Sequence, residues 1–163
     1  MVGDRTGMLT LFAICIGIGV VAGMRTTVAP TAVSWAAYLG WLNLGDTWLA
    51  FLGSVYAPWI LSLCLVGELI GDKLPFTPSR KLPGPFVARL VSGGICGLAL
   101  GYAGGGALIG ALGGIVGAVI GTLGGYAFRA RLATAFKRDF PAALIEDAIA
   151  LAGAFSMVLL ATA

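Results

Sequence analysis

From Leu90 to Phe128 the chain carries thirty-nine consecutive residues without a charge, and glycine returns at nearly every fourth place among them. In water an interior helical glycine costs about 1 kcal/mol relative to alanine, and so apolar a surface would aggregate. The stretch calls for lipid as its solvent. The whole chain agrees: 59% of its residues are hydrophobic and 10% charged, where soluble domains carry about 25% charged residues. The fold class read from this is an all-α integral membrane protein. At about 20 apolar residues per span, the 163 residues make a compact bundle of five to six transmembrane helices in a single domain, with no length left for a soluble catalytic domain.

As one helix, Leu90–Phe128 would reach about 58 Å, roughly twice the hydrocarbon thickness. It must reverse, and the glycines of residues 101–106 mark the expected turn. Spans are expected at about 6–24, 26–45, 47–70, 88–103, 106–128 and 140–162, with cytoplasmic loops at 72–89 and 129–139. The run 6–24 is too long for a signal-peptide core and reads as a retained span. The segment 26–45 carries Pro30 and several hydroxyls, and reads either as a crossing or as a broken, re-entrant piece. Basic residues set the orientation: Lys73, Arg80, Lys81 and Arg89 in one loop, and Arg129, Arg131, Lys137 and Arg138 in the other, face the cytoplasm. The C-terminus is then periplasmic. A six-helix count, which also leaves Arg25 cytoplasmic, is the preferred one. Trp41, Trp48, Tyr56 and Trp59 read as an interfacial aromatic belt.

Gly93, Gly97, Gly101 and Gly105 recur every fourth residue before and through the turn, as do Gly113, Gly117, Gly121 and Gly125 after it. In lipid, helices associate by close backbone approach, which such rows permit. They read as two glycine zippers packing mainly within the chain, with a homodimer as a second use.

The chemistry is confined to few residues. There is no histidine, no phosphate-cradling loop and no nucleophile in motif spacing, so neither an enzyme nor a metal or other cofactor is expected. Cys15, Cys64 and Cys96 lie in apolar runs and read as buried thiols. The net charge of +3 records loop placement and points to no nucleic acid partner. What remains is a carboxylate set, Glu68, Asp72, Glu146 and Asp147, with Arg25 and Arg129 as counter-charges. Glu68 and Asp72 are one helical turn apart and share a face, which suits a proton or cation site. The plainer alternative is ion-paired helix ends at the interface. Glu146 and Asp147 fall inside the last span, where ionisable groups are costly and face the bundle interior.

Between them, Pro75, Pro78, Pro83 and Pro85 exclude regular helix, and Arg80 and Lys81, with Arg89, offer cationic contacts to an anion, whether a lipid headgroup or a phosphorylated small molecule. A stiff linker is the blander use of that loop. The short likeness of residues 69–73 to 144–148, each downstream of a glycine-rich span that ends in arginine, suggests two inverted three-helix repeats.

Four segments, GMRTTVAPTAVSWAAYLGW, GELIGDKLPFTPSR, ARLVSGGICG and IEDAIAL, together resemble an uncharacterised bacterial inner-membrane family known only as a domain of unknown function. The resemblance implies a multi-spanning protein of the bacterial inner membrane and brings no activity with it. Its pattern covers Arg25, Pro30, Glu68, Asp72, Lys73, Pro75, Pro78, Arg80, Arg89, Glu146 and Asp147. The function expected from the residues is a small transporter or channel coupled to a proton or cation, with membrane lipid and a small solute or ion as partners. The alternative is a lipid-interacting scaffold.

Overall fold

The structure is a computed structural model that describes residues 2–71, 83–137 and 139–162. The candidates Asp72, Arg80 and Lys81, and most of the proline-rich loop, lie outside the described residues. Six α-helices follow in order: α1 (Val2–Met24), α2 (Val28–Tyr38), α3 (Ala57–Gly71), α4 (Pro83–Ala103), α5 (Ala107–Phe136) and α6 (Asp139–Thr162), with one 3₁₀ turn at Trp48–Gly53. No strand occurs among the described residues.

Helices α1, α4, α5 and α6 are long and apolar enough to cross a membrane. Helix α2, at 11 residues, is not: it reaches about 16 Å, short of the ~30 Å hydrocarbon core. Among the described residues α3 has 15, about 22 Å. The segment 26–45 is therefore a short helix followed by loop, and 47–70 is a 3₁₀ turn followed by α3, where continuous spans were candidates. Both prolines sit where a helix accepts them: Pro30 in the first turn of α2 and Pro58 at the second residue of α3. At the other end, α5 runs on to Phe136 and is closed by Lys137 with φ 54°. Residues 129–136, expected as loop, are thus helical.

The expected reversal is present but narrower. Helix α4 continues to Ala103, and Gly105 takes φ 75°, a left-handed conformation that a side chain would resist. Gly106 N–H donates to Gly101 O at 2.8 Å and closes the turn.

Glycine decides how closely α1, α4 and α5 approach. A methyl group on Gly93 would lie 2.7 Å from the Gly114 carbonyl oxygen, and one on Gly97 would overlap the Gly110 carbonyl. On the α1 side, methyls on Gly117 and Gly121 would overlap the carbonyls of Ile16 and Val20. Gly125 continues this row and is buried. The first row departs from expectation at its end: Gly105 has nothing within 4 Å of its side-chain direction and serves the turn. Its partners on α5 are Gly110 and Gly114, a second face of that helix, and α1 adds Gly19 and Gly23.

These contacts also fix direction. Phe12, Ile16 and Val20 meet Gly113, Gly117 and Gly121 in turn, so α1 and α5 run parallel. Gly17 meets Met157 and Gly153 meets Val21, so α6 runs against α1. The two glycine-rich helices associated with Arg25 and Arg129 therefore share a direction, while α4, where Gly93 meets Gly114 and Gly97 meets Gly110, runs against both.

Candidate functional site

The site begins at the break between α1 and α2. Arg25 N–H still donates to Val21 O at 2.8 Å, but Thr26 and Thr27 turn away, and α2 restarts at Val28. A helix start leaves N–H groups without an intrahelical partner, and burying them unpaired costs about 1–3 kcal/mol each. A side chain from another helix takes them up. Glu68, near the end of α3, accepts Thr26 N–H on Oε1 and Thr27 N–H on Oε2, both at 2.8 Å, and the Thr27 hydroxyl on Oε2 at 2.5 Å. Its negative charge also suits the positive end of the α2 dipole. On the other side of the break the Ser92 hydroxyl of α4 donates to Thr26 O at 2.6 Å.

The break holds Arg25 in the interior, where its side chain is 0% exposed and ion-paired to Asp147 of α6. Next to Asp147 on α6 is Glu146, also 0% exposed, which lies 3.7 Å from Arg129 of α5. Consecutive helical residues point about 100° apart, so the two carboxylates serve two different arginines. Arg89 is buried on α4, one turn before Ser92. Six charged residues from the α1–α2 break, α3, α4, α5 and α6 thus form one layer across the bundle. Arg129 stands seven residues before the end of α5 and Glu146 seven after the start of α6, each about 10 Å along its helix from that end.

Four expected site residues, Arg25, Arg129, Glu146 and Asp147, are brought into two cross-helix pairs. Glu68 joins the same layer in another role: it caps a helix start, and its expected partnership with Asp72 falls outside the described residues. Arg89, assigned to a cytoplasmic loop, is helical and buried; the stretch from Pro83 to Ala88, apolar but for two prolines, enters the helix with Pro83 at its first position. Sequence reading missed Thr26, Thr27 and Ser92. The paired threonines after an arginine at the end of an apolar run were the available signal, since clustered hydroxyls favour local turns. No group of three or more His, Cys, Asp or Glu able to hold a metal occurs among the described residues. Thr122 is buried nearby, but its hydroxyl is spent on Ala118 O of its own helix at 2.7 Å.

No family model matches this sequence, and no curated protein and no solved structure matches it either.

Proposed function

We propose that this chain is a small transporter or channel of the bacterial inner membrane, coupled to protons or cations, and that the buried charge layer is its working part. The observation that supports this is the pairing of Arg25 with Asp147 beside a helix break that Glu68 caps. Buried ion pairs are expensive, and a bundle held for structure alone is often as stable with apolar residues there. Retaining six charged residues across five segments suits a site whose charges change partners.

In this mechanism Glu146 and Asp147 are the groups that take up a proton or contact a cation. Protonating Asp147 leaves Arg25 buried with less compensation, and the short helix beyond the break is the element free to shift in response. Arg25 and Arg129 are the counter-charges of these carboxylates, and with Arg89 they can meet an anionic group of a solute. The glycine rows act as a zipper that keeps α1, α4 and α5 fixed while α2 and α3 move. With those rows engaged inside the chain, a homodimer would use other faces. The C-terminus is periplasmic, with the charge layer towards the cytoplasm. The likeness to the bacterial membrane family adds no activity, so the proposal stands on the layer alone.

The test is proton flux into liposomes loaded with a pH-sensitive dye, under an imposed pH gradient and under an imposed potential. Wild type should conduct above empty vesicles, and Asp147→Asn and Glu146→Gln should lose most of that flux. A wild type indistinguishable from empty vesicles in both conditions overturns proton conduction, and the same result with alkali cation gradients overturns the cation branch.

A further inference from the structure

A groove of about 300 Å³ runs between α2, α3 and α6, and nothing in the proposed transport site uses it. One wall is α2, from Val28 through Trp35 to Leu39; Leu65 of α3 and Leu151 and Phe155 of α6 complete it. Its polar side-chain groups are already committed. The buried Thr31 hydroxyl donates to Thr27 O at 2.7 Å, with Leu61 O at 3.2 Å as its alternative acceptor, and Trp35 Nε1 donates to Ser62 Oγ at 3.1 Å. What the groove presents is hydrocarbon, so neither water nor an ion finds partners along it.

Its occupant follows from what it opens onto. Leu63 and Val66 on α3 and Phe155 and Leu159 on α6 are exposed, part of the apolar surface that a membrane-spanning bundle turns to lipid. The groove is continuous with that surface. From Val28 to Leu39 it extends about 16 Å, close to half of the ~30 Å hydrocarbon core. Its far end carries the exposed indole of Trp41, a side chain suited to the headgroup level. We propose that the groove is a binding site for one acyl chain of a membrane phospholipid, its tail lying along α2 towards the charge layer and its headgroup end beside Trp41. The shortness of α2 leaves this leaflet-deep gap, and the tail fills it.

The experiment is native mass spectrometry of the protein released from phosphatidylethanolamine and phosphatidylglycerol vesicles, with detergent washing until bulk lipid is gone. Wild type should retain one phospholipid per chain. Ala32→Phe and Leu65→Trp, which fill the groove from two different helices, should lower retention about tenfold, the effect of excluding about two methylene groups. Their thermal midpoints should match wild type or exceed it, which separates loss of the site from loss of the fold. Wild type without bound lipid, equal retention in both filled variants, or a dimer whose interface covers the groove would each overturn the site. The readout is independent of flux, so it stands or falls apart from transport.

Discussion

The contact of α1 and α4 with α5, and the contacts of α6 with the α1–α2 break and with the far end of α5, are built on opposite principles. In the first, side chains are absent: Gly93, Gly97, Gly114, Gly117 and Gly121 let backbones touch, and any methyl group would collide with a carbonyl. In the second, long charged side chains reach across the gap, Arg25 to Asp147 and Arg129 to Glu146. The first has one arrangement, because backbone cannot rotate aside. The second is held by side-chain contacts, which can exchange partners. A rigid half and an exchangeable half in one small bundle is the division that the proposed transport cycle would use.

The comparison breaks most readily at the charge layer. Replacing Asp147 by alanine takes an ion-pair partner from the buried Arg25 and should lower stability by about 3–5 kcal/mol. The double variant Arg25→Met/Asp147→Leu should recover most of that loss while abolishing flux. Unfolding in a denaturing detergent, read by circular dichroism, decides the matter; a double variant no more stable than the single one would mean that the pair carries no coupling.

Next in size is the glycine contact. Gly114→Leu forces α4 and α5 apart and should cost about 3 kcal/mol, the upper end of ordinary overpacking, since the obstacle is backbone. Gly124→Leu on the same helix has nothing within 4 Å of its added Cβ and should keep the midpoint or raise it slightly. Equal midpoints for the two variants in detergent would remove the distinction between packed and open glycines.

The smallest expected effect sharpens the same line. Gly124→Ala should raise stability by about 0.5–1 kcal/mol through helix propensity, whereas Gly105→Ala, at φ 75°, should lower it by about 1–2 kcal/mol. A differential scan of the two proteins reads both, and a gain at position 105 would contradict the turn geometry.

How much of this was legible follows from what is local. The apolar runs and the every-fourth glycines were read directly, because membrane solvation and helical periodicity act on neighbours in the chain. The candidate charges were visible too, since an ionisable residue in an apolar run stands out wherever it points. The row through Gly105 failed at its last member, because spacing continues through a turn while helix geometry does not. The loop at 129–139 was mostly helix because positive charges mark the side of the membrane and not the end of a helix.

What the sequence by itself determined is the solvent, the helical class and the short list of residues able to carry charge inside it. Only the tertiary structure decided that Glu68 caps the start of α2, that Arg25 meets Asp147 while Arg129 meets Glu146, and that Gly110 and Gly114 face Gly93 and Gly97. The physical reason is that composition and periodicity are properties of one segment, whereas a cap, an ion pair and a backbone contact each join two segments. Their pairing depends on how closely and in which direction the helices cross.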